Sequence, residues 1–372
     1  MIFIQKSLKD SLMPLVSTSE AINKAKNLDP FSIDSLLHAF IKCKKDSIWK
    51  GSVQFFESDL LSQCFYLNQS LNNQTYKTNP YNEFELNERG KIRHIKALTI
   101  RDRVVIRSLC DNVLIPKIAP KLIYDNFASL ENRGINFARK RFLFHLHKYI
   151  RKHGVNGYIL QLDFSKFFDS IDHELCKKEF SKVIDCKYHW LIDLIIDSFG
   201  GSKGVGIGSQ ISQIAGIYYP HYIDNHCKIK RRCLYYGRYM DDIYIIHQNK
   251  AFLQNLLAEI YQIANSLKLT INPKKTHIIP LNKRFIFLKS IYTIKDSEKV
   301  IYTQTQKGLR RERRRLYKLR YKYDLGLIPA SDIDNAFKSW CGNVYKNYPH
   351  TSYFRLKYIK RLYNQLFGDL LL

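Results

Sequence analysis

The chain has 372 residues, 45% hydrophobic and 25% charged, which excludes general disorder and fits two or three subdomains around real cores. Lysine and arginine number 60 against 33 acids, a formal net charge of +27, so a phosphate-rich partner is expected, nucleic acid ahead of an anionic membrane. A membrane role would need an amphipathic anchor or a spanning segment, and no apolar run of about 18 residues is found.

The opening MIFIQKSLKD is too short and too soon interrupted for a secretory core. Residues 1–80 carry apolar positions at mixed three and four spacing (Leu36, Leu37, Phe40, Ile41), which predicts helices, and end in the turn-rich NNQTYKTNPYNE. In ELNERGKIRHIKAL, Gly90 separates two short alternating segments, a hairpin whose tip and returning strand carry Arg89, Lys91, Arg93 and Lys96. A long helix should follow from Arg101 through Ile118, with Val104, Val105, Leu109 and Val113 on one face and Asp102 near its start.

From Gly157 the pattern changes. GYILQLDFSKFFDSIDHELCKKEF reads as a strand running into a helix, and YYGRYMDDIYII as two strands around a tight turn. AFLQNLLAEIYQIANSLKL has a helical period, and LTINPKKTHIIPL looks extended. Strand, helix, two strands, helix, strand is the split βαβ arrangement. The run KGLRRERRRLYKLRYKY then sets nine basic residues against the single acid Glu312, with a narrow stripe of Leu309, Leu316 and Leu319. It suits either a solvated face or a nucleic-acid contact, and the charge of the whole chain favours the second. The eight cysteines (43, 64, 110, 176, 186, 227, 233, 341) form no CxxC pair, so a reduced, cytoplasmic setting is expected. The 25 tyrosines and 22 phenylalanines serve first to fill a core, and on so basic a chain can also stack bases.

Asp241 and Asp242 lie side by side between two sheet-forming segments. Adjacent carboxylates repel, and a water-exposed turn or a cation relieves them. Asp163, at the end of the other strand of the same split βαβ, would come within metal-bridging reach of Asp241. Several hard oxygens without His or Cys select Mg²⁺ over zinc. Two such ions about 3.5 to 4 Å apart can activate a 3′-hydroxyl and stabilise a leaving pyrophosphate.

On these residues the chain resembles reverse transcriptases of the bacterial type, from about Glu85 onward. Tyr239-Met240-Asp241-Asp242 is similar to the family's YxDD box, and Asp163 with FSKFFD to its first carboxylate motif. The resemblance implies an α+β right-hand polymerase: an N-terminal helical extension (1–80), fingers (81–157), a split-βαβ palm (158–295, with a fingers-associated insertion near 175–205) and a basic helical thumb (296–372). It implies two Mg²⁺ ions, with Mn²⁺ as substitute, at Asp163, Phe164, Asp241 and Asp242. Phe168 would exclude a 2′-hydroxyl, while both Phe167 and Phe168 also suit a core. Lys91 and Arg93 would grip the triphosphate, and Lys275, or its neighbour Lys274, would give the pyrophosphate its proton. Tyr239 and Met240 would lie against the primer end. RFIFLKSIY would be the primer grip at Leu288 and Lys289, with Phe-Leu-Lys replacing the usual Phe-Leu-Gly. Arg310 and Arg314 would follow template and primer backbones, and SWCGN around Trp340 resembles small bacterial thumbs.

One departure concerns the segment ahead of the YxDD box. Many bacterial members carry Gln-Gly-x-x-x-Ser-Pro, whereas this chain reads Ile207-Gly208-Ser209-Gln210-Ile211-Ser212-Gln213. Losing the Gln amide beside the nascent pair should weaken nucleotide checking. The form is similar to that of error-prone diversity-generating retroelement enzymes, and some phage-defence and prophage-borne members also diverge here. No retron-type NAxxH or VTG pair is found, and the segment after the thumb is expected to be too short for group II intron endonuclease parts. The expected partners are a cognate non-coding template RNA, a DNA primer and product, and dNTPs, with a second copy or an accessory protein left open and no membrane. The rival of another class is a catalytically silent RNA-binding scaffold.

Overall fold

The computed structural model describes residues 29–88, 91–351 and 353–368. The side chains of Glu88 and Lys91 and the hairpin tip Arg89-Gly90 lie outside the described set. Helices α1 (Ile33–Lys44), α2 (Gly51–Ser58) and α3 (Leu60–Asn72) come first. The Ser32 side chain accepts from the Ser35 N–H and so caps α1. Leu36 and Phe40 are buried as expected, whereas Ile41 is 56% exposed. Strands β1 (Asn82–Glu88) and β2 (Lys91–Ala97) form the expected antiparallel hairpin, closing with Glu88 opposite Lys91. Helix α4 (Ile100–Leu109) is capped by the Thr99 hydroxyl. It widens into a π-turn over Cys110–Leu114 before a last turn, Ile115–Ile118. The expected single helix is thus interrupted. Pro116 has no N–H to donate into the ladder, and the Ile115 N–H reaches back five residues to Cys110.

Helix α5 (Ile135–His153) leads into β3 (Tyr158–Leu162). After a single helical turn at Phe167–Ser170 come α6 (His173–Ser181), α7 (His189–Asp197) and α8 (Gln210–Tyr218). Strands β4 (Tyr235–Tyr239) and β5 (Asp242–His247), helix α9 (Lys250–Ser266) and strand β6 (His277–Pro280) follow. Strands β7 (Phe285–Phe287), β8 (Ser290–Ile294) and β9 (Val300–Gln304) precede helices α10 (Gln306–Asp324), α11 (Ala330–Asn347) and α12 (Tyr353–Phe367).

The chain divides into two compact units. One comprises the described residues up to Gly134, with Phe164–Lys230 and Ile260–Ile271. Its α1 packs on α4, and Leu36, Phe40, Val104 and Val105 of the two helices are each almost wholly buried. A fully buried Asp102 ties its loops, accepting from the Tyr76 hydroxyl at 2.6 Å, Thr99 Oγ1 at 2.8 Å and the Asn79 N–H at 3.1 Å. A buried carboxylate is tolerated because its lone pairs are met in this way.

The other unit comprises Ile135–Asp163, Arg231–Glu259 and Asn272–Leu372. Its antiparallel sheet runs β4-β5-β3-β6, with Leu162 opposite Ile243 and Gln161 between Tyr244 and His277. The inner strands read as continuous apolar runs because Ile159, Leu160, Ile243 and Ile245 are all buried. Helix α5 lies along β4 and sends Phe142 into an aromatic cluster, 4.7 Å from the Tyr244 ring and 4.8 Å from both Phe287 and Tyr292. Helices α10, α11 and α12 close around Leu316, Ile333, Phe337, Ile359 and Leu362. Each such side chain contributes about 1.5 to 3 kcal/mol by leaving water.

Candidate active site

Strand pairing brings the three sequence-predicted carboxylates to one end of the four-stranded sheet. Tyr239 pairs with Asp242, leaving Met240 and Asp241 as a two-residue turn, and Met240 takes φ +55°. Such tight hairpin turns need left-handed backbone. Behind the turn the fully buried Arg238 donates from its guanidinium to the Met240 carbonyl at 3.1 Å. Asp163 directly follows Leu162, whose partner Ile243 is the neighbour of Asp242. Asp163 is itself only 5% exposed.

Electrostatics tie the trio together. Burial first, then the charges of Asp241 and Asp163, push the Asp242 carboxyl up to about 7, against the lowering pull of Lys275 and Lys289. Burial raises the Tyr239 phenol, as do Asp242 and Asp241 after it.

Between the two candidate lysines, Lys275 is the one engaged. Both lysines are exposed, and the Lys275 ammonium donates to Asp163 Oδ2 at 2.7 Å. Burial lowers the Lys275 pKa, but the Asp163 hydrogen bond and the three acids outweigh it and raise the value overall. Asn272 sets the register, with its N–H on the Asp163 carbonyl at 2.8 Å and its side chain accepting from the Lys274 N–H at 3.1 Å. The primer-grip segment is a hairpin of β7 and β8 whose two turn residues, Leu288 (φ +45°) and Lys289 (φ +64°), are both left-handed. Gln161 of β3 fixes it by donating to the Ile286 carbonyl at 2.8 Å. Leu288 is buried and Lys289 exposed.

The remaining predicted residues of the nucleotide set belong to the first unit. Phe164 is buried, bridges Ile271 and stacks on Phe167. Phe167 and Phe168 sit on a helical turn, not an extended segment: Phe167 is buried and Phe168 half-buried, and the Phe168 carbonyl accepts from the Val205 N–H at 2.9 Å. Ile207 is half-buried, and Gly208 is exposed at φ +107°, just before Ser209, the residue preceding α8. On β2, Arg93 is half-buried, while Lys96 is engaged with the Phe199 carbonyl at 2.6 Å. Arg310 and Arg314 are exposed on α10. Arg238 and Asn272 are positioning residues that no motif in the sequence marks.

The donors suit a hard cation by chemistry. Three coupled carboxylates supply oxygen only, and the buried Asp163 Oδ1 has no hydrogen-bond partner. Among the described residues, no group of three His, Cys, Asp or Glu side chains is arranged to hold a metal ion. Like charges repel, and the Lys275 ammonium is the counterion Asp163 takes. All eight cysteines are free, and no described helix is long and apolar enough to cross a membrane.

A carboxylate-bearing β-turn on a split-βαβ sheet, followed by a helical bundle, defines an α+β right-hand polymerase. A family model described as reverse transcriptase (RNA-dependent DNA polymerase) matches residues 77–302, more than half the chain, and the chain belongs to that family of enzymes. Among solved structures it is similar to telomerase from Candida albicans in complex with a fragment of telomeric RNA, at 10% identity and a TM-score of 0.49. That match covers 79% of this chain and 55% of the telomerase chain, so the chain spans about half the telomerase length. Comparison with curated proteins gives no match.

Proposed function

We propose that the chain copies a cognate RNA into DNA by two-metal nucleotidyl transfer, in prokaryotic antiphage defence. The observation that carries the chemistry is the coupling of Asp242 to Asp241 and Asp163 at the end of one sheet, with its carboxyl at about 7. Asp163, Asp241 and Asp242, with Phe164 next to Asp163 in the chain, would hold two Mg²⁺ ions. Bound there, the ions would supply charge stabilisation to the attacking 3′-oxygen and the leaving pyrophosphate. In the transfer the 3′-hydroxyl releases its proton to solvent, its oxygen forms a bond to the α-phosphorus, the bond from that phosphorus to the α–β bridging oxygen breaks, and Lys275 donates a proton to the pyrophosphate. The raised pKa of Lys275 keeps that proton available at neutral pH.

Other roles rest on the motifs. Lys91 and Arg93 take the triphosphate, Phe168 bars the 2′-hydroxyl, and Ile207 and Gly208 border the nascent pair. Tyr239, Met240, Leu288 and Lys289 hold the primer end, and Arg310 and Arg314 the backbones. The division into N-terminal extension, fingers, palm and thumb at 80, 157 and 295 belongs to the same reading, as does cytoplasmic residence. The Ile207-Gly208 form also favours a second reading, an error-prone enzyme of a diversity-generating retroelement. Sequencing the nucleic acid that copurifies would separate the two, since a repeated cognate RNA and a variable-repeat transcript differ on sight. RNA-templated dNTP incorporation should vanish in Asp241→Asn. Incorporation equal to that of an active parent would remove Asp241 from the metal set, and no incorporation by the parent itself would leave a silent RNA-binding scaffold.

A further inference from the structure

We propose that the groove between α10 and α12 binds an unpaired stretch of RNA, with one base lying against Phe354 and Tyr358 and its phosphates against Arg310, Arg313 and Arg355. The proposal deepens the nucleic-acid reading above and rests on it.

The groove encloses about 410 Å³, within the range of small-ligand clefts. Leu309 and Ile359 form an apolar floor that continues into the bundle core. Above it Phe354 is 79% exposed and Tyr358 53% exposed. They stand four residues apart, on one face of α12. Rings so exposed contribute little to the bundle, yet they offer flat apolar faces to anything that enters.

The walls are cationic. Arg310 and Arg313, three residues apart on α10, face Arg355 of α12. Among the described residues, no carboxylate lines the groove. Helix α12 contains no acid, and of the two acids of α10, Glu312 is buried against Arg315 at 3.2 Å and Asp324 pairs with Arg320 at 2.9 Å. Guanidinium forks suit phosphate oxygens, and exposed aromatic faces suit bases. The combination selects a single strand. In a duplex the base faces are already stacked on one another, so the arginines would suffice and the rings would have nothing to meet. In an RNA-copying reaction the unpaired nucleotides belong to the RNA, because the DNA product is annealed as it is made.

The test uses the full chain and three labelled probes: a short oligoadenylate RNA, the DNA of the same sequence, and a blunt RNA–DNA duplex. Phe354→Ala with Tyr358→Ala should weaken binding of the single-stranded RNA by about tenfold or more. The duplex should be nearly unaffected, and Phe354→Trp should retain parental affinity. Both positions are exposed, so folding is checked simply by an unchanged melting temperature. Arg310→Gln with Arg313→Gln should weaken the RNA as well. An equal loss on the duplex, tighter binding of the DNA strand than of the RNA, or no loss on any probe overturns the proposal, and the last outcome leaves the groove to an acidic protein segment. Incorporation by the parent chain on a pre-annealed primer–template is measured in parallel. Its absence together with ring-dependent RNA binding fails the polymerase reading alone, and normal incorporation with ring-independent RNA binding fails this one alone.

Discussion

A carboxyl group held at about 7 binds its proton far more tightly in the folded chain than at its ordinary value of 3.8. The contribution of Asp242 to stability is therefore full below about 3.8 and is lost as pH rises through about 7. Asp242→Asn keeps the shape and carries no charge. In chelator-containing buffer its melting temperature should match the parent near pH 4 and exceed it near pH 8. A gap independent of pH would show that Asp242 does not carry the strain. Phe168 poses a different question, since its neighbour Phe167 takes the core position and leaves the Phe168 ring half-buried. If that ring excludes the 2′-hydroxyl, Phe168→Ala should raise the rNTP-to-dNTP ratio of kcat/KM by about tenfold. An unchanged ratio removes the ring from sugar selection.

The turn between β4 and β5 depends on a residue outside the motif. Arg238 is wholly buried and bonds the carbonyl of left-handed Met240, so it fixes the backbone from which Asp241 and Asp242 project. Arg238→Lys retains the charge without the planar fork. Incorporation should show a fall in kcat with dNTP KM little changed, and a proportionate rise in KM instead would place Arg238 in substrate binding. The positions of β3, β4, β5 and α9 were legible because apolar runs and a 3.6-residue period mark them plainly. Arg238 was not, because a charged residue in a strand reads as solvent-facing until the opposite side of the sheet is known to be covered. The β7–β8 hairpin was hidden for another reason: Leu288 and Lys289 adopt positive φ without the Gly or Asn that usually announces such a turn. Nor does spacing distinguish Lys274 from Lys275. That choice is made by Asn272, which holds the Lys274 N–H and the Asp163 carbonyl at once.

Across the whole molecule, an excess of 27 positive charges is a cost to the compact state unless an anionic partner is normally present. The charge was evident from composition, and its organisation on α10 from the run itself. The sequence left open whether that run is a solvated face or a nucleic-acid contact. The helix turns one side into the bundle, with Leu316 fully buried and Glu312 nearly so, while Arg310, Arg311, Arg313, Arg314 and Lys318 remain exposed. Glu312 costs something there, since burial raises its carboxyl against the opposing pull of Arg315. The acid is thus turned inward and the outer face keeps one sign. Binding driven by such a face releases counterions, so affinity for a primer–template should fall linearly on a log–log plot against salt. Arg314 and Lys318 lie four apart on that face. Replacing both with Gln leaves two phosphates without a neutralising cation, which should lower the magnitude of the slope by about 1.4 to 1.8 and weaken all sequences alike. Titrating the double variant and the parent across the same salt series decides the matter. Parallel lines would mean that Arg314 and Lys318 do not touch the backbone, and that their charge serves another role.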